Sequence, residues 1–191
     1  MRSWPVIALV VALPAAALAL TVEGLAYPAA STIEGKELKL VGAGLREKWF
    51  VDVYVLAAYS EAGTCETASL IKTDETKYMR LDMLRDVSAE KMASTIGGSF
   101  DEHMPANASP ELKQQRQTFE GYFKEELKKG TELEFLYQPG VGVSIKQHGK
   151  LLGPPLAGKA FQEVLWDIYF GEETCCSGLK KQILETCRGP K

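Results

Sequence analysis

The feature that most limits what this chain can become is the run WFVDVYVLAAY, from Trp49 to Tyr59. It is dominated by β-branched and aromatic side chains, which fit a pleated, half-buried surface better than a helix. Interrupted only by Asp52 and the polar tip of Tyr54, it is expected to be a strand buried inside a sheet. A glycine-rich step, Gly42-Ala43-Gly44, precedes it, followed by Arg46. That arginine is either the charged end of a strand or a cation kept for a purpose.

The segments around this run set the fold class. Val22 to Leu25, Ser31 to Glu34 and Glu37 to Val41 read as short strands, with a turn at Gly35-Lys36. Tyr78-Met79-Arg80-Leu81-Asp82-Met83 alternates as a half-buried strand does. A short helix is expected near Cys65 to Ile71. Ser88 opens a helix that includes Met92 and Ile96, bent or weakened at Gly97-Gly98. Ser109-Pro110 supplies an N-cap and a first-turn proline. The helix it opens carries Leu112, Phe119, Tyr122, Phe123 and Leu127 and is expected to run to Gly130. Thr131 to Tyr137 and Val141 to Gln147 form a hairpin, and helices follow over Leu156 to Phe170 and Ser177 to Thr186. Strands, then helices, then a hairpin and more helices predict an α+β domain with a large antiparallel sheet covered on one face.

Residues 1–19 do not belong to that domain. Met1-Arg2, an apolar run from Val6 to Leu20 and the small-residue site Ala17-Leu18-Ala19 are expected to be a cleaved signal peptide. The run is shorter than the ~20 residues a spanning helix needs, and Pro14 interrupts it. Residues 20–191 then form a single domain, periplasmic or secreted, with no stable membrane insertion after cleavage. Export places Cys65, Cys175, Cys176 and Cys187 in an oxidising compartment, where an even count predicts two disulfides. A bond between the adjacent Cys175 and Cys176 is sterically disfavoured. Cys65 is therefore expected to bond one of that pair and Cys187 the other. Neither histidine, His103 or His148, is near the cysteines in sequence, so no metal site is expected.

The net charge is −3, and no Lys/Arg cluster dominates any segment. This argues against a nucleic-acid or anionic-membrane partner. Motifs of the common enzymes are missing: there is no G-x-S-x-G elbow, no P-loop, and no downstream glycine to complete Gly42-Ala43-Gly44 as a dinucleotide site. The two histidines read as solvated surface residues. Catalytic residues, cofactors and metals are accordingly expected to be none, and binding is favoured over catalysis.

The run VGAGLREKWFVDVYVLAAY resembles the signature of the chalcone isomerase superfamily, in particular its bacterial chalcone isomerase-like branch. MRLDMLRDVSAEKM, SPELKQQRQTFEGYF and LAGKAFQEVLWDIYFGEETCCSGLKKQIL extend the likeness across Val22 to Leu184. The resemblance implies an open-faced sandwich, a large antiparallel sheet under a layer of helices. Plant chalcone isomerases close a flavanone ring with an Arg, a Thr, a Tyr, an Asn and a Thr or Ser in one cleft. Of these only the Arg matches, at Arg46. The other positions fall on Tyr54 and on about Leu112, Phe119 and Ile168. Leu, Phe and Ile cannot donate a hydrogen bond to a developing oxyanion, so ring closure is not expected.

The family's fatty-acid-binding relatives instead hold a carboxylate with an Arg and a Tyr, which implies Arg46 and Tyr54 as ligand-binding residues here. Leu112, Phe119 and Ile168 would then line an apolar pocket for a small apolar ligand such as a fatty acid. An isomerase using Arg46 and a structural, partner-binding protein are the alternatives. A geometric condition applies to the pair. A straight strand would part Arg46 and Tyr54 by about 26 Å, so they meet only if the chain turns or bulges near Arg46-Glu47-Lys48. Trp49, Phe50 and Trp166 are expected to serve packing.

Overall fold

The computed structural model describes residues 19–189. The expected signal peptide lies outside these residues apart from Ala19. Strands β1 (Ala19–Val22) and β2 (Leu25–Pro28) pair as a separate hairpin. The main sheet contains β3 (Ala30–Ile33), β4 (Lys36–Lys48), β5 (Val51–Ser60), β6 (Lys77–Met83), β7 (Glu132–Gln138), β8 (Gly142–Gln147) and β9 (Lys150–Leu151). Its seven strands lie in chain order, each antiparallel to the next. The helices are α1 (Thr67–Lys72), α2 (Ala89–His103), α3 (Pro110–Glu120), α4 (Lys159–Phe170) and α5 (Ser177–Arg188).

The expected α+β sandwich is present, with one addition. On the helix side, Leu56, Met79, Leu81, Phe135 and Ile145 of the sheet pack against Phe100, Phe119, Phe161 and Leu165. The opposite face has its own smaller core of Tyr27, Leu38, Val55, Ala57, Tyr59 and Tyr78, part of it supplied by the β1–β2 hairpin. This second core explains why WFVDVYVLAAY is apolar at nearly every position. From Val55 to Ser60 the strand is buried on both sides, so no alternation is left to see.

Val22 to Leu25, expected as a strand, contains the β1–β2 turn at Glu23-Gly24, and three further expectations need correction. First, the strand expected from Trp49 to Tyr59 begins only at Val51. The chain reverses at Trp49-Phe50, both at positive φ (53° and 62°), and Lys48 pairs with Val51. Second, α3 stops at Glu120 rather than continuing to Gly130. The Gly121 N–H closes the last turn onto Gln117, and the Tyr122 hydroxyl donates to the Pro154 carbonyl at 2.6 Å, drawing the chain away. Third, the disulfides join Cys65 to Cys187 and Cys175 to Cys176. Cys176 and Cys187 sit at opposite ends of α5, roughly 16 Å apart at 1.5 Å per residue. Cys65 lies at the Cys187 end, with 5.7 Å between Cα atoms, which leaves Cys175 and Cys176 to each other.

The glycine step has a packing role. A Cβ at Gly42 would overlap the Ile183 carbonyl of α5, and one at Gly44 would press on Leu179 and Gln182. Helix α5 therefore lies directly on the β4 backbone, and the Leu45 N–H donates to Gln182 Oε1 at 2.9 Å.

Lys77 is the one lysine among the described residues that is fully buried. Its ammonium donates to the Ile71 carbonyl at 3.3 Å, and burial pulls its pKa down to about 8. Because that value is depressed, the folded protein loses the Lys77 proton near pH 8 while the unfolded chain keeps it to about pH 10.5. The cost of burying the charge is complete below pH 8 and disappears as the pH rises toward 10.5. Lys77→Met is expected to stabilise by about 1–2 kcal/mol at pH 7, since Gln162 still satisfies the Ile71 carbonyl. Urea unfolding of both proteins should show the gap closing between pH 8 and pH 10. A gap that widens would mean the ammonium is stabilising.

Candidate functional site

The turn at Trp49-Phe50 lays β4 back along β5, so Arg46 and Tyr54 become direct cross-strand neighbours. The register shifts next to this pair: Arg46 faces Tyr54, while Glu47 faces Asp52, leaving Val53 as the extra residue of a bulge. A bulge re-aims side chains. Both Val53 and Tyr54, which would alternate in a regular strand, line the same cavity.

That cavity has a volume of about 580 Å³ and is lined by the sheet, by α2, by Ile168 and Tyr169 of α4 and by Cys175 and Cys176 ahead of α5. Val53, Leu81, Met83, Met92, Ile96 and Ile168 supply apolar wall. Arg46, Tyr54 and Tyr169 form a polar end. The half-buried Arg46 donates from Nη1 to the Glu47 carbonyl at 2.7 Å. It has no carboxylate partner among the described residues; neither Glu47 nor Asp52 pairs with it. Burial raises the pKa of the Tyr54 phenol, an effect the neighbouring Arg46 and Tyr169 oppose. Tyr169 is raised well above the ordinary tyrosine value, first by burial and then by Tyr54. Both phenols are protonated at neutral pH. Tyr169 donates its hydroxyl to Tyr54, so the end of the cavity presents a guanidinium and one hydroxyl donor, that of Tyr54, a set suited to a carboxylate.

Ile168 lines this cavity, but Leu112 and Phe119 do not. Helix α3 turns them into the core instead. Phe119 is 1 % exposed, with the rings of Phe161, Phe123, Phe135 and Phe100 at centroid distances of 5.3, 5.4, 6.0 and 6.2 Å. A side chain surrounded in this way has no free face to offer a ligand. Trp166 is core as expected, whereas Trp49 and Phe50, also assigned to packing, are 84 % and 95 % exposed.

Tyr169 and the Cys175-Cys176 pair, not expected at the site, also line the cavity. Tyr169 sits in the apolar stripe of α4 and carries no signal of its own. His103 and His148 lie outside the cavity, and its one carboxylate is Asp86, engaged by the Lys129 N–H at 2.8 Å and by Lys128. Among the described residues, no group of His, Cys, Asp and Glu is arranged to hold a metal ion.

Fold and site together define an open-faced α+β sandwich with an arginine-ended apolar cavity between sheet and helices. The chain belongs to the chalcone isomerase-like family, whose model matches residues 19–185. Its structure is similar to the crystal structure of a fatty-acid binding protein from Arabidopsis thaliana, with a TM-score of 0.72 and 16 % sequence identity. That match covers 89 % of this chain and 97 % of the plant chain. At this identity the likeness speaks for the fold alone. No curated protein sequence matches the chain.

Proposed function

We propose that this is an exported, non-catalytic binding protein for a small apolar carboxylate such as a fatty acid. Arg46 and Tyr54 receive the head group, with the Tyr169 hydroxyl bonded to Tyr54, and the acyl chain lies among Val53, Leu81, Met83, Met92, Ile96 and Ile168. The observation that carries this reading is the Arg46 guanidinium, unpaired with any described carboxylate and set beside Tyr54 at the end of a cavity with apolar walls. A cation left half-buried without a counter-charge is costly, and a bound carboxylate removes that cost. The cavity volume falls within the range of small-molecule sites. Two disulfides fit an oxidising compartment, and the fold is shared with a protein described as fatty-acid binding.

Titration of the delipidated protein with palmitate tests this. Arg46→Ala is expected to weaken binding roughly 10–100-fold, as removal of a charge-assisted hydrogen bond does, while Tyr54→Phe costs less. Equal affinity in Arg46→Ala and the parent would remove the arginine from the site. Turnover of a chalcone that is lost in Arg46→Ala would replace the binding reading with an isomerase.

A further inference from the structure

The main sheet and its companion hairpin contain four two-residue turns of the same left-handed kind, with positive φ at both central positions. Three of them end on glycine: Glu23-Gly24, Glu34-Gly35 and His148-Gly149, with the glycine φ between 74° and 77°. The fourth is Trp49-Phe50. Glycine adopts this conformation freely, while bulky side chains are penalised. The turn geometry therefore does not call for these residues. Packing does not call for them either, since Trp49 is 84 % and Phe50 95 % exposed. Two large aromatics are held out at a hairpin tip, against both backbone preference and solubility.

The surroundings of the tip indicate its partner. Lys48, Arg85 and Lys91 line the same cavity as Trp49, and all three are exposed. None has a carboxylate partner among the described residues. The carboxylates nearby in sequence are Glu47 and Asp52 on the hairpin, Glu90 on α2, and Asp86, which is engaged by Lys128 and the Lys129 N–H. The cavity lining itself holds four cations, Arg46, Lys48, Arg85 and Lys91, against the single carboxylate of Asp86, on a chain whose net charge is −3. Aromatic side chains at an interface with cations behind them match a bilayer surface with anionic head groups: rings at the depth of the glycerol region, lysine and arginine at the phosphates.

We propose that the β4–β5 hairpin tip is a membrane-docking element that seats the mouth of the cavity on an anionic lipid surface. Because Trp49 belongs to the cavity lining, a bilayer that receives the tip also faces the opening. An apolar ligand then passes between bilayer and cavity with little exposure to water. Docking does not require the cavity to be filled, so its test is independent of palmitate binding.

The test compares residues 20–191 with the double variant Trp49→Asn/Phe50→Gly in co-sedimentation with phosphatidylglycerol–phosphatidylcholine vesicles free of added fatty acid. Asn-Gly is the preferred sequence for this turn, so the variant is expected to melt at the same temperature or higher. Its partition onto vesicles is expected to fall at least tenfold. Arg85→Glu/Lys91→Glu should lose several-fold on these vesicles, and added salt should weaken the parent in the same way. Equal partition of parent and Asn-Gly variant, or no partition of the parent at low salt, would overturn the proposal. So would a parent that dimerises through the tip and ignores vesicles, which would give the surface to a second copy of the chain. A lower melting temperature in the Asn-Gly variant would assign the aromatics to structure and count against docking.

Discussion

Replacing Cys65 and Cys187 together by serine is expected to lower the unfolding free energy by about 4–5 kcal/mol, the chain-entropy contribution of a cross-link spanning more than a hundred residues. The two cysteines are 122 positions apart in sequence and 5.7 Å apart at Cα. Their bond ties the loop before α1 to the last turn of α5, so it pins the helix that lies on the glycine step of β4. Urea unfolding monitored by circular dichroism is the measurement. The internal control is Cys175→Ala/Cys176→Ala, which opens a bond between neighbours and removes almost no loop entropy, so it should cost about 1 kcal/mol or less by the same relation. If the two pairs proved equally costly, loop closure would not be the source of the effect.

The second large effect concerns Phe119. Truncation to alanine at this nearly inaccessible position, amid four aromatic rings, is expected to cost about 3–5 kcal/mol, as large-to-small changes in packed cores do. Palmitate affinity, measured where the variant is still folded, should change by no more than about threefold, a shift below 1 kcal/mol. Arg46→Ala should show the opposite pattern, with weaker binding and little loss of stability, because it removes a half-buried cation that has no carboxylate partner. The pairing is informative: a residue in the aromatic core and a residue at the end of the cavity separate stability from affinity. A large loss of binding in folded Phe119→Ala would return this position to the cavity wall, where the family resemblance had put it.

Much of the architecture was legible in the chain, for reasons local to each segment. Ser109-Pro110 and Ser88 cap the helices they were expected to open, because capping depends only on a side-chain oxygen and a few adjacent N–H groups. The alternation in Tyr78–Met83 marked β6 as a strand, but its expected half-burial does not hold: β6 is buried on both faces, with Tyr78 and Asp82 covered as well as Met79, Leu81 and Met83. The turn at Trp49-Phe50 was not legible. A left-handed two-residue turn is normally announced by glycine or asparagine, and here it is filled by residues with a strong strand preference. If the tip serves a membrane surface, that local conflict is where a functional demand outweighs propensity.

By itself the sequence determined an α+β sandwich, four cysteines free to pair, and an arginine beside an apolar run, since each depends on side-chain chemistry or short-range periodicity. Tertiary structure alone decided which cysteine meets which, because the length of α5 sets that distance. It alone decided that Arg46 and Tyr54 are neighbours, since one reversal of the chain and one bulged residue turn a separation of about 26 Å along a strand into a cross-strand pair. It also sent Leu112 and Phe119 to the core and Tyr169 to the cavity, because the rotation of a helix about its axis is settled by what packs against it.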